Sequence, residues 1–143
     1  MKNFLIIIFT LFIGFNLFAD EVDQAISAAI NFTDGKPSEP LKLLENYSVE
    51  SINNPERRDS IEIKILDALP KANSRRSKDF FCRLLRIVGT KRSIPVLGEM
   101  LSDKETSHMA RYALASMTYE EAGKALHNNL NKVSEQLMAG IID

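Results

Sequence analysis

The sequence predicts an all-α protein, a short solenoid of stacked helical hairpins. Three observations predict it. After residue 19 strand signals are nearly absent; the one alternating run, Ile61-Glu62-Ile63-Lys64-Ile65, sits inside a longer helical frame. Helix start and stop signals recur at short intervals. The apolar faces superimpose when the chain is shifted by 29 residues. Composition agrees with one folded domain: 143 residues, formal net charge −1, 45% hydrophobic and 26% charged. A disordered chain would be less apolar and more strongly charged. Six Gly and five Pro are too few for a collagen-like or low-complexity chain.

Residues 1–19 are expected to lie outside the fold. Lys2 precedes an apolar run from Phe4 to Phe18, closed by Ala19 before Asp20-Glu21. This is the layout of an export signal cleaved after Ala19. The run is short for a membrane span, which needs ~20 residues; an uncleaved anchor is the alternative. The expected location is periplasmic or extracellular. Cys82 is the only cysteine, so no internal disulfide forms, and it reads as a small residue on or beside a core face. The sequons Asn31-Phe32-Thr33 and Asn46-Tyr47-Ser48 matter only in a eukaryotic secretory route.

The helices follow in order. Two short ones are expected at about 20–33 and 39–47, separated by Asp34-Gly35-Lys36-Pro37. Asn54-Pro55 sets a capping side chain before a proline at the first helical position. That helix runs to about Leu69 and stops at Pro70. Asn73 or Ser74 opens the next, which ends at Gly89, read as a left-handed C-cap. Ser93 before Ile94-Pro95 marks another N-terminus, and Thr106 or Ser107 opens the helix after it. Thr118 and Glu121 have capping-box spacing, and Glu120-Glu121 complement the helix dipole. A final helix starts near Val133.

The 29-residue shift carries Phe80, Phe81, Leu84, Leu85 and Val88 onto Met109, Ala110, Ala113, Leu114 and Met117. Each set has the spacing of one buried helical face. The same shift takes Leu97 and Leu101 to Leu126 and Leu130, and Ile65 to Ile94. Each unit is therefore two helices of roughly three turns, and stacked units bury what one pair alone cannot. The units are expected at about 57–89, 90–118 and 119–143, with 20–56 as an N-terminal helical cap. The end at Gly140-Ile141-Ile142-Asp143 has no polar capping helix. Either Ile141 and Ile142 pack back on the preceding pair, or the end is an interaction surface, or the chain is a shortened form of a longer ancestor.

Residues 86–117 carry Gly, a turn, Ile-Pro-Val-Leu, Asp103 in the next turn and then Ala110-Arg111-Tyr112-Ala113-Leu114. This pattern resembles a short HEAT-type repeat, close to the HEAT-like repeats of phycocyanobilin lyases. His108-Met109-Ala110-Arg111-Tyr112-Ala113-Leu114 resembles repeats of large exported bacterial proteins. The resemblance covers about 57–143. It implies a right-handed, armadillo-type superhelix whose second helices line the concave face. It implies little about activity, because unrelated proteins share the repeat.

No catalytic motif accompanies the repeat. His108 and His127 lack a partner at metal-ligand spacing, and nucleophile-elbow, zinc-protease, phosphate-loop and EF-hand patterns are missing. No cofactor and no metal are expected. Charge is segregated: residues 20–54 hold 2 basic and 7 acidic groups, 55–92 hold 11 and 5, and 93–143 hold 4 and 7. The basic centre includes Arg57, Arg58, Arg75, Arg76, Lys78, Arg83, Arg86, Lys91 and Arg92. It reads as solvated helix faces or as a patch for an acidic partner; nucleic acid is disfavoured by the export signal and by the lack of interleaved aromatics.

Opposite the core face, Asp79, Cys82, Arg83 and Arg86 form one stripe. His108, Arg111, Tyr112 and Ala115 form its counterpart 29 residues on. Arg83, Arg86, His108, Arg111 and Tyr112 are the candidate protein-binding residues, since Arg and Tyr are common interface anchors. The expected function is an exported, non-enzymatic scaffold that binds a protein partner through the concave face. The alternative is a remnant or accessory unit of a larger multi-domain protein or lyase-type enzyme.

Overall fold

The computed structural model describes residues 20–33 and 39–130. The export-signal region, the helix near Val133 and the Gly140–Asp143 end lie outside the described residues. The described chain is all-α. It comprises α1 (20–30), α2 (Glu39–Glu50), α3 (Pro55–Ala68), α4 (Arg75–Val88), α5 (Ile94–Met100), α6 (Ser107–Ala115) and α7 (Glu120–Leu130). Short 3-10 turns at Ser51–Asn53, Leu69–Lys71 and Lys91–Ser93 join α2 to α3, follow α3 and precede α5. Among the described residues no helix is long and apolar enough to cross a membrane.

Two helix starts form as the sequence dictates. The Asn54 side chain accepts the Arg57 N–H at 3.1 Å, with Pro55 next to it. Ser74 does the same for the Ser77 N–H at 3.0 Å. Each satisfies a donor that the first helical turn leaves free. Ser74 and Ser77 also reach a second helix end. Their hydroxyls donate to the carbonyls of Phe32, Ile30 and Ala29 at the end of α1, and the Asn73 N–H donates to the Ile30 carbonyl. The N-terminus of α4 thus caps the C-terminus of α1. Lys64 pairs with Asp23 across α3 and α1.

The core lies on α4. Phe80, Phe81, Leu84, Leu85 and Val88 are buried, and so are Met109, Ala110, Ala113 and Leu114 on α6. Full burial of a side chain the size of Phe81 or Leu85 contributes about 2 kcal/mol. α4 packs on α3, α2 and α6, while α5 packs on α6 and α7. Val22, Ala25, Ile26 and Ala29 give α1 its buried face.

Two expectations, for Gly89 and for Glu121, are corrected. Gly89 is not left-handed: its φ is −60° and its ψ 142°. It is glycine because a Cβ there would sit 2.2 Å from the Leu85 carbonyl oxygen and 2.7 Å from Met117 Cε. α5 and α6 start where expected, at Ile94 and Ser107, but without a side-chain cap from Ser93 or Thr106. Ser93 Oγ donates instead to Glu62 Oε1 at 2.6 Å, and Thr106 Oγ1 to the Met100 carbonyl at 3.0 Å. The Glu121 carboxylate turns to Lys91 Nζ at 2.6 Å rather than back to Thr118.

Glu62 is the polar centre of the fold. It is 0% exposed. Its Oε1 accepts the Thr90 N–H at 2.7 Å and the Ser93 hydroxyl at 2.6 Å. Its Oε2 accepts the Thr90 hydroxyl at 2.8 Å and Arg92 Nη1 at 3.2 Å. One turn earlier, Arg58 donates to the carbonyls of Val88 at 2.9 Å and Gly89 at 2.8 Å. α3 therefore holds both ends of the segment that links α4 to α5.

Removing a buried, fully partnered carboxylate leaves its donors stranded. Glu62→Ala is expected to cost about 3 kcal/mol in urea unfolding, with the helical circular-dichroism signal retained below the transition. Gly89→Ala is expected to cost about 2 kcal/mol by overpacking. Gly98→Ala is the control: its Cβ would meet Ala125 Cβ at an ordinary 3.7 Å, and the helix-propensity gain of about 1 kcal/mol makes it neutral or stabilising.

Candidate functional site

The face opposite the core on α4 is set by helical geometry. Residues at about 100° per step put Arg75, Arg76, Asp79, Arg83 and Arg86 on one outward stripe. On α6 the same geometry turns His108, Tyr112 and Ala115 outward, with Arg111 half-buried at the edge. Because α4 packs on α6, the two stripes are neighbours.

The five candidate residues fall into three arrangements. The Arg86 guanidinium lies 4.7 Å from the centre of the Tyr112 ring and bridges the two helices. Tyr112 is 54% exposed. Arg111 Nη2 donates to His108 Nδ1 at 3.0 Å, which requires that ring nitrogen to carry no proton. Arg83 stays on its own helix, 3.4 Å from the Asp79 carboxylate and 5.6 Å from the centre of the Phe80 ring. The stripe thus offers one Arg–Tyr stack between helices and two cations held by short-range partners.

Cys82 does not belong to the exposed stripe. It is 1% exposed and part of the core, in keeping with its reading as a small core residue. Burial, and secondarily the negative charge of Asp79, push its thiol up to about 12. A neutral, enclosed thiol is a poor nucleophile.

The basic centre read from the sequence is not a continuous patch. Arg58 is consumed by the end of α4 and Arg92 by Glu62 and Asp59. Lys91 pairs with Glu121 and lies 5.8 Å from the centre of the Tyr119 ring. The hydrogen bond between them raises the Lys91 ammonium and lowers the Glu121 carboxyl. The outward arginines of α4 remain as the coherent part.

Sequence reasoning missed Arg58 and Glu62. The signal was present: positions 58, 61, 62 and 65 share one helical stripe, and two of them are charged. A charge inside an apolar stripe implies a buried partner elsewhere in the chain.

A shallow cleft of about 300 Å³ lies where α3 ends against α5, lined by Leu69, Pro70, Val96 and Met100 with Lys78 and Glu99 at its rim. No group of three or more His, Cys, Asp or Glu side chains among the described residues is placed to hold a metal ion. No protein-family model matches the chain, and neither a curated protein nor a solved structure matches it.

The Cys82 thiol is expected to resist a disulfide reagent at pH 8 in the folded protein and to react fully in denaturant. The unfolded thiol ionises near its ordinary 9.0 while the folded one holds its proton. Stability therefore falls as pH rises through that range. Cys82→Ala should abolish this part of the alkaline loss when unfolding is followed against pH.

Proposed function

We propose that this chain is an exported, non-enzymatic helical-hairpin repeat protein that binds another protein through the outward face of α4 and α6. The repeat reading draws on burial at the 29-residue register. Ile65 and Ile94, Ala68 and Leu97, Phe80 and Met109, Phe81 and Ala110, and Leu85 and Leu114 are buried in pairs. In this reading α3–α4 and α5–α6 are successive hairpins, α7 opens a third, and α1 and α2 cap the N-terminal side. The resemblance to short HEAT-like repeats adds the right-handed stack and puts α4 and α6, the second helices, on its concave face. The export-signal layout of residues 1–19 puts the protein outside the cytoplasm.

The observation that carries the binding site is the Arg86–Tyr112 stack. It spans two packed helices and leaves an aromatic ring more than half exposed. Arg and Tyr are the side chains from which protein interfaces draw most of their energy. An exposed cation–ring pair contributes only about 0.5–1 kcal/mol to folding, so the fold does not depend on it.

The test replaces Arg83, Arg86, Arg111 and Tyr112 together with alanine. Helicity and melting temperature are expected to stay close to those of the parent chain. Capture of the native partner, read by quantitative co-purification from the exported protein fraction, is expected to vanish. Unchanged capture by a folded variant would sink the site assignment.

A further inference from the structure

Charge is sorted by helix in this chain. α4 carries a net charge of +4 and α6 of +1, while α1, α2, α3, α5 and α7 are each net negative. The two positive helices pack on one another, α2 packs on α4, and α7 packs on α6. The positive face is therefore a strip bounded by negative helices. Within it, Arg83 is answered by Asp79. Among the described residues, Arg86 contacts the Tyr112 ring and Arg111 the His108 imidazole, and neither pairs with a carboxylate.

We infer that this strip docks a short acidic segment of another protein, whose carboxylates are taken by Arg86 and Arg111 on either side of Tyr112. The inference rests on the proposed binding face and names the chemistry of its partner. A guanidinium fork matches a carboxylate with two parallel hydrogen bonds, and the two forks come from adjacent helices. The size of the strip decides against other anions. A nucleic acid or an anionic bilayer extends past α4 and α6 and meets the net negative charge of α2. At physiological salt that repulsion still acts over roughly 8 Å. A bilayer also gains from apolar side chains that enter it, and Tyr112 is the single large apolar side chain exposed on α4 and α6. A short acidic segment fits within the strip and avoids its edges.

The experiment uses the purified chain and a fluorescein-labelled Glu-Ser repeat peptide, read by anisotropy. A Gln-Ser peptide, a short oligothymidylate and phosphatidylserine vesicles are the comparisons. The Glu-Ser peptide is expected to bind, to weaken with added salt, and to bind more tightly than all three. Arg86→Gln with Arg111→Gln is expected to lose about tenfold in affinity; Arg86→Lys with Arg111→Lys, which keeps the charge without the fork, should lose less. Circular dichroism confirms that both variants stay folded. No binding of the Glu-Ser peptide overturns the inference, as does binding that the Gln variant leaves unchanged. Tighter, arginine-dependent binding of oligothymidylate or vesicles overturns it in favour of that ligand class. If the four-alanine variant loses its native partner while the parent chain ignores the Glu-Ser peptide, the docking face stands and the acidic segment falls. If neither partner nor peptide responds to these substitutions, both fall.

Discussion

Two side chains one helical turn apart on α3 govern the path of the chain between α4 and α5. Arg58 closes the last carbonyls of α4, and Glu62 gathers the N–H and hydroxyl donors of the turn that opens α5. Apolar burial is non-directional and fixes the setting of α5 less sharply than hydrogen bonds do. The clamp is directional, and Glu62 is sealed from water. An alternative placement of α5 would strand the carboxylate or its donors, at a cost of several kcal/mol. The clamp thus selects among packings that the core alone would tolerate. It also explains why the 89–93 segment between α4 and α5 is short and polar.

The fold was legible where the deciding interactions are local. Asn54-Pro55 and Ser74 announce helix starts because a cap needs only a side chain and an N–H three residues on. The apolar stripe of α4 was legible for the same reason, since one helix presents all of it. The reading failed where a residue serves a distant part of the chain. Ser93 marks the start of α5 as expected, but the sequence does not reveal that its hydroxyl goes to Glu62, 31 residues away. Gly89 has the position of a left-handed cap, yet it is kept small by Leu85 and by Met117 from the next helix pair. Glu121 has capping-box spacing, yet Lys91 outcompetes the backbone for it. In each case local chemistry named a plausible partner and tertiary structure supplied a stronger one.

The candidate face was legible in outline and wrong in detail for a geometric reason. The 29-residue shift sets Tyr112 level with Arg83. In the structure Tyr112 stacks with Arg86, one turn further along α4. Helical side chains lean toward the N-terminus, and arginine is the longer of the two. The guanidinium of Arg86 therefore reaches back to the level of Arg83, which is drawn to Asp79 and Phe80. Cys82 was misplaced on the stripe because it sits a quarter turn from its centre, where the neighbouring element decides between burial and exposure. Charge summed over long segments misled in another way. It counted Arg58, Lys91 and Arg92 as one surface, although each is spent on a different internal partner.

What remains on α4 and α6 is charge that the fold does not need. Arg83 and Arg86 are spaced three apart on one face, with Arg75 and Arg76 about two turns earlier, beyond pairwise reach. Like charges three apart, as Arg83 and Arg86 are, disfavour a helix by a few tenths of a kcal/mol. Elsewhere the chain places opposite signs together, as in Lys124 with Glu120 and Lys42 with Glu39. On the outward side of α4 Asp79 answers Arg83, while Arg86 lies against the Tyr112 ring. A helix built for stability alone would alternate its charges there. The net positive charge of α4 gains a favourable counterpart when negative charge arrives from another molecule, and this is the physical ground for the proposed docking of an acidic segment on the α4–α6 face.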